Sequence, residues 1–75
     1  MQVGLLWYDD DPKKTLGMKV EQAQARYIEK YGHAPNACYV NSAAAVTDGE
    51  AHTVRIIPAI SVRPNYFWIG VDNEQ

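Results

Sequence analysis

Short apolar runs separated by polar breaks predict four strands and one helix along the chain. The first run, Val3 to Tyr8, is continuous and rich in strand-favouring residues, which is typical of an interior strand covered on both faces. Three carboxylates and a proline, Asp9 to Pro12, end this strand and begin a turn. The run Ala37 to Asn41 predicts a second strand.

The most regular pattern lies between these two strands and predicts a helix over 15–31. Thr15 is suited to the N-cap, and Gly32 follows the last apolar position, where it can take a left-handed conformation and end the helix. Pro35 prevents the helix from resuming. The apolar positions recur at the spacing of one helical face and are Leu16, Val20, Ala23, Tyr27 and Tyr31, with Ile28 widening the stripe.

The last third of the chain predicts two more strands. Apolar side chains alternate over 53–62, where Pro58 places the strand at a sheet edge or bends it. A turn then leads into a final strand over 66–71, and the two strands are predicted to form a β-hairpin. The segment 42–51 has small residues and no regular pattern, so we expect a loop there.

These elements predict one α+β domain over 1–75, with the order β-α-β-β-β. The strand-helix-strand start indicates a parallel pair joined by a right-handed crossover. We therefore expect a small mixed four-stranded sheet with one amphipathic helix packed on one face, and a frayed polar tail over 72–75. A chain of 75 residues leaves no room for a second domain, and its stability margin is thin.

One helix can cover only one face of a four-stranded sheet, yet both faces are predicted to be apolar. Alternation places Phe67 and Ile69 on one side of the last strand and its other aromatic residues on the opposite side. The uncovered face is either shielded by the loop 42–51 and by the tyrosine hydroxyls, or it binds a protein partner, most economically a second copy of the chain. The candidate partner-binding residues are Trp68, Tyr66, Tyr39 and Tyr8.

Composition narrows the class of protein. Apolar residues make up 47% of the chain and charged residues 21%, which is typical of a globular rather than a disordered protein. No apolar stretch is long enough to span a bilayer, and the start lacks the basic residues and apolar core of a signal peptide. Cys38 is the only cysteine, so no disulfide can form within one chain. We therefore expect a cytoplasmic protein without membrane association.

No residue pattern indicates catalysis or a cofactor. Asp9 to Asp11 could ligate a hard cation, but three consecutive side chains rarely converge on one ion, and complementing the helix dipole is the simpler role. His33, Cys38 and His52 are too few and too scattered for a structural zinc site. The glycines are too far apart for a phosphate-binding loop. We expect a non-enzymatic protein with no catalytic residue, metal or cofactor.

The alternative function is nucleic-acid binding through a basic flank of the helix. Lysine and arginine side chains along one flank could face phosphates, although a solvated face that borders the core is the simpler interpretation for a chain of net charge −2. The candidates are Lys19, Arg26 and Lys30 on this flank, with Lys13 and Lys14 near the start of the helix. The aromatic residues could also stack on bases, but the last strand lacks the basic and glycine-aromatic pattern of the RNA-recognition motif.

Several segments together resemble those of small uncharacterised bacterial proteins of about this length: Trp7 to Pro12, Tyr31-Gly32, Pro35-Asn36, Cys38 to Asn41 and Phe67 to Val71. The resemblance covers most of the chain and implies a bacterial origin, but no activity or site residue. The sequence thus predicts a protein-interaction or accessory module that acts through an uncovered aromatic sheet face, as a homodimer or with another protein.

Overall fold

The computed structural model describes residues 4–44 and 54–72, which form four strands and one helix. The predicted α+β class, one helix packed on a mixed four-stranded sheet, is confirmed. Within the described residues, no helix is long and apolar enough to cross a membrane. In chain order the elements are β1 (Gly4–Tyr8), α1 (Leu16–Tyr31), β2 (Ala37–Asn41), β3 (Arg55–Ala59) and β4 (Tyr66–Gly70).

The last strand of the chain lies inside the sheet, which has the order β1-β4-β2-β3. β4 runs antiparallel to both β1 and β2, whereas β2 and β3 are parallel. β1 and β2 therefore run in the same direction, but they are not the adjacent pair that was predicted, because β4 lies between them. The predicted hairpin of β3 and β4 is also wrong, because β2 separates these two strands.

The two edge strands are β1 and β3. Pro58 lies in β3, so the prediction of an edge position for this strand is confirmed. The prediction that β1 is an interior strand is wrong. Only Leu5 and Trp7 pack toward the core, whereas Leu6 and Tyr8 on the opposite side stay 56% and 50% exposed. An unbroken apolar run therefore does not distinguish a strand buried on both faces from an edge strand.

Both ends of α1 are capped by the residues that were predicted. The backbone N–H of Met18 donates to Thr15 Oγ1 at 3.2 Å. At the other end, Gly32 has a left-handed φ of 80°, and its N–H donates to the carbonyl oxygen of Ile28 at 2.8 Å. The two caps hold the helix to the segment in which the apolar stripe was predicted.

The core lies between α1 and one face of the sheet. The thiol of Cys38 is fully buried there, and this burial raises its pKa to about 12. Cys38 therefore contributes to packing, as a small hydrophobic residue would. The buried cluster draws on both layers and consists of Val20, Ala23, Tyr27, Cys38, Val40, Val54, Phe67 and Ile69.

Candidate functional site on the open sheet face

The sheet face opposite α1 has no helix of the described chain packed on it. Because side chains alternate along each strand, the registers place Leu6, Trp68, Tyr39 and Ile57 in one row across all four strands of this face. Tyr8 and Tyr66 form the next row. We call this surface the open face and define it by Leu6, Tyr8, Tyr39, Ile57, Tyr66 and Trp68.

All four aromatic residues predicted from the sequence lie on the open face. Tyr39 is the register partner of Trp68, and Tyr8 is the register partner of Tyr66. The rings of Tyr8 and Tyr66 are tilted by 57° with centroids 4.8 Å apart, a favourable arrangement for an aromatic pair. Alternation predicted which side each residue faces, and the strand order then determines which of them become neighbours.

The connection between β3 and β4 forms one wall of a groove on the open face. Asn41 Nδ2 donates to the carbonyl oxygen of Val62 at 2.8 Å and so holds this connection beside β2. Val62 itself is half-buried. The groove has a volume of about 450 Å³ and is lined by Leu6, Ser61, Val62, Arg63, Tyr66 and Trp68.

The segment predicted to shield this face, 42–51, is described only as far as residue 44. Ala44 packs against the core cluster on the helix side of the sheet. Residues 45–51 lie outside the described residues, so their part in the prediction stays untested. Within the described chain, residues 61–63 lie over part of the open face instead, where they line the groove.

The Trp68 ring lies against the backbone of Gly4. A Cβ at Gly4 would lie 3.2 Å from two atoms of the Trp68 ring and 2.8 Å from the carbonyl oxygen of Ile69. The indole therefore occupies the space that any other residue at position 4 would fill. This close approach holds the ring on the open face, where it remains half-buried.

A network of hydrogen bonds closes the end of the open face where β4 ends. The Tyr39 hydroxyl donates to Asp72 Oδ2 at 2.6 Å, and Arg55 Nη2 lies 3.9 Å from the same oxygen. The backbone N–H of Asp72 donates to Asn36 Oδ1 at 2.7 Å, and Asn36 Nδ2 donates to the Asp72 carbonyl at 3.2 Å. Asp72, the first residue of the predicted frayed tail, is thus held in place, while residues 73–75 lie outside the described chain.

At the opposite end, the Tyr8 hydroxyl donates to Asp10 Oδ2 at 3.1 Å. This hydrogen bond to the carboxylate is the main reason that the pKa of Tyr8 is raised. Two of the three tyrosines of the open face therefore have their hydroxyls hydrogen-bonded to carboxylates, which fixes the orientation of the rings.

Two arginines on this side of the sheet were not among the predicted site residues. Arg63 lines the groove, and its side chain has no hydrogen-bond or ion-pair partner within the described chain. Arg55 lies on the open side of β3, and its side chain is 58% exposed despite the contact with Asp72. A lone arginine in a turn carries no sequence signal for a binding role, because only the fold brings Arg63 beside Trp68.

In the acidic segment after β1, Asp9 to Asp11, the Asp9 carboxylate binds a neighbouring backbone N–H and a lysine. The backbone N–H of Asp11 donates to Asp9 Oδ1 at 3.0 Å, and Lys14 Nζ lies 3.1 Å from Asp9 Oδ2. The hydrogen bond from the Asp11 backbone is the largest effect on the pKa of Asp9 and lowers it. Lys14 also lowers this pKa, whereas burial raises it by less than the two together lower it. Among the described residues, no three metal-ligating side chains come together. His33 packs edge-on against Tyr27, with ring centroids 5.5 Å apart, and His52 lies outside the described residues.

The basic residues of the predicted helix flank have separate environments. Lys14 Nζ also donates to Gln22 Oε1 at 2.6 Å. Arg26 pairs with Glu29 at 3.2 Å and lies over the Trp7 ring, 5.6 Å from its centroid. Lys30 Nζ lies 5.4 Å from the centroid of the Tyr31 ring. Lys13 is exposed, and Lys19 lines a cleft on the helix side of the sheet.

Comparison of the chain with protein-family models, with curated proteins and with solved structures found no match.

Proposed function

We propose that the protein is an interaction module whose open face binds an extended segment of another protein. One observation carries the proposal: six large apolar or aromatic side chains lie together on the face opposite the helix, and Leu6 and Tyr8 among them are at least half exposed. A contiguous apolar surface of this kind is typical of a site that binds a partner.

The chemistry of the groove supports a particular composition for this segment. Apolar walls from Leu6, Val62 and Trp68 suit an aliphatic or aromatic side chain. Arg63, without a partner of its own within the described chain, suits a carboxylate next to that side chain. Among the residues that line the groove, Arg63 alone carries a formal charge, so the charge at the groove is positive. We therefore propose an acidic partner segment with at least one large apolar residue.

Aromatic residues and arginine are also the residue types that contribute most to binding energy in protein interfaces. Trp68 is held by its contact with Gly4 and the Tyr8 ring by its bond to Asp10, so little side-chain entropy remains to be lost on binding. The lone buried thiol is compatible with a reducing compartment, and we propose the cytoplasm as the place of action.

Selection from a library of random peptides tests this proposal. The immobilised protein should enrich peptides that combine Asp or Glu with a large apolar residue, and a synthetic copy should bind in solution by fluorescence polarisation. Trp68→Ala should weaken that binding about thirtyfold, corresponding to a loss of about 2 kcal/mol. Arg63→Glu should weaken it about tenfold, and by less at high salt.

Two variants on the helix side serve as matched controls. Met18→Ala removes an apolar side chain that is 52% exposed, and Lys30→Glu makes the same charge change as Arg63→Glu. Neither should alter peptide affinity. Enrichment of basic peptides, or equal binding by Trp68→Ala, would contradict the proposal. Binding of single-stranded DNA or RNA that is lost in Lys19→Glu but kept in Trp68→Ala would instead favour the alternative of a nucleic-acid-binding flank.

A further inference from the structure

The two edge strands of the sheet differ in how well they could accept another strand. An open edge presents unpaired backbone N–H and C=O groups, and proteins commonly block such edges with proline or charge. β3 has both, in Pro58 and Arg55. β1 has the sequence Gly-Leu-Leu-Trp-Tyr, which contains neither.

The backbone of Pro58 faces outward, away from β2. The backbone N–H of Arg55 donates to the carbonyl oxygen of Asn36 on the β2 side at 2.9 Å. Because backbone direction alternates along a strand, Ile57 also points its hydrogen-bonding groups toward β2, whereas Pro58 points outward. Proline has no N–H to offer there. This edge is therefore poorly suited to pairing.

The same alternation identifies the outward groups of β1. The backbone N–H of Asp9 donates to the carbonyl oxygen of Asn65 at 2.9 Å, one position beyond the last register pair of β1 and β4. The pairs then alternate, so that Trp7 bonds to β4 while Leu6 and Tyr8 direct their N–H and C=O groups away from it. Gly4 continues this outward set.

We infer that β1 pairs with β1 of a second copy of the chain, antiparallel and centred on Leu6. In this register Leu6 faces the partner's Leu6, and Gly4 faces the partner's Tyr8, so every outward group of β1 is used. Each of these pairs exchanges both backbone hydrogen bonds. The contact is the same on both chains, as two-fold symmetry requires.

Side chains and charges also favour this arrangement. The partner's Tyr8 lies beside Gly4, where there is no side chain to obstruct it and where the Trp68 ring is close by. The antiparallel direction places the acidic runs that follow β1, Asp9 to Asp11, at opposite ends of the joined strands. A parallel pairing would place these like charges side by side.

The resulting eight-stranded sheet has a direct consequence for the open face. Leu6 and Tyr8, which are exposed in one chain, lie at the seam of the dimer. The two open faces join into one surface on the same side of the sheet. The inference goes beyond the proposed function, because it concerns the edge of the sheet and a second copy rather than the groove and another protein.

Disulfide cross-linking of single-cysteine additions tests the register. In the proposed pairing the two Leu6 Cα atoms are about 5.5 Å apart, within the range for a disulfide, whereas the two Tyr8 Cα atoms are roughly 14 Å apart. Under mild oxidation, Leu6→Cys should therefore form cross-linked dimer about tenfold or more faster than the matched variant Tyr8→Cys. The wild type, whose Cys38 is buried, should not cross-link.

Solution mass provides a second, independent readout. Light scattering under reducing conditions should show a dimer for the wild type and a monomer for Leu6→Pro, which removes an outward N–H. Trp68→Ala should remain dimeric even if it loses peptide binding, so the two proposals can fail separately. A monomeric wild type, or cross-linking of Tyr8→Cys as fast as that of Leu6→Cys, would overturn the inference.

Discussion

The two faces of this sheet are built from the same four strands but differ in how far their side chains are buried. On the helix face, Ile69 and Cys38 are neighbours in the register and fully buried. One position along, Trp68 and Tyr39 are also neighbours, yet they stay half-buried under a loop connection. Burial on the helix face stabilises the fold, and the open face keeps the apolar area that we propose for binding.

This difference teaches that apolar content alone does not locate a core in a small protein. Both faces are rich in large apolar residues, and only the position of α1 decides which set is buried. A single helix leaves the other set only partly covered, so the buried core and the proposed binding surface lie on opposite faces of the same sheet. Truncating a side chain on the helix face should therefore mainly lower the free energy of unfolding, whereas truncating one on the open face should mainly lower the affinity for the partner.

Thiol reactivity should show the largest contrast between the faces. With its pKa raised to about 12, Cys38 should react with iodoacetamide at pH 8 about a thousandfold more slowly than an ordinary cysteine. A cysteine placed on the open face by Ile57→Cys should react at close to the ordinary rate. The measurement is the alkylation time course by mass spectrometry, and rapid labelling of native Cys38 would show that the helix face is not closed.

Truncation of side chains should give the next largest effect. Ile69→Ala removes a fully buried side chain and should lower the free energy of unfolding by about 2–5 kcal/mol. Ile57→Ala, at a half-buried side chain of the open face that lies away from β1, should cost clearly less. Urea titrations followed by circular dichroism would measure both. Equal costs would mean that the open face is a second core.

Adding a single methyl group to the open face should have an intermediate effect. In Gly4→Ala the new Cβ meets a backbone oxygen and the Trp68 ring, and we expect a loss of about 1–3 kcal/mol together with a shift in tryptophan fluorescence. Thermal unfolding and emission spectra would measure the two changes. An unchanged spectrum would show that the indole does not rest on position 4.

The smallest effect on stability should come from Asp9, whose carboxylate lies outside both faces. Because the folded state lowers the pKa of Asp9, its ionised form stabilises the fold at neutral pH, and this contribution is lost as the pH falls through the folded-state pKa. Asp9→Asn should therefore be less stable than the wild type near pH 7, and the difference should shrink below about pH 4. A difference that stays constant with pH would assign the effect to packing instead.

The helix and the side-chain directions could be predicted because they depend on local patterns. The Thr15 and Gly32 caps and the apolar stripe between them need no information from the rest of the chain. Alternation likewise placed Tyr66 and Trp68 opposite Phe67 and Ile69. Period and capping are properties of a short stretch of sequence, so the structure agrees with them.

The strand order could not be predicted in the same way, because pairing joins distant parts of the chain. Nothing within β4 indicates that it inserts between β1 and β2 instead of forming a hairpin with β3. The groove depends on the same insertion, which brings Trp68 beside Leu6 and Arg63. The aromatic members of the site were therefore predictable, whereas its cationic rim and its loop wall were not.

The measurement that tests the account most directly is the mapping of amide chemical shifts during titration with an acidic peptide from the library selection. We predict that the shifts change on the open face, at Leu6, Tyr66 and Trp68, and at Arg63 beside it. The exposed helix residues Met18 and Ile28 should not respond. Shift changes confined to the helix, or no change at any residue up to millimolar peptide, would contradict the claim that the open face is the binding surface.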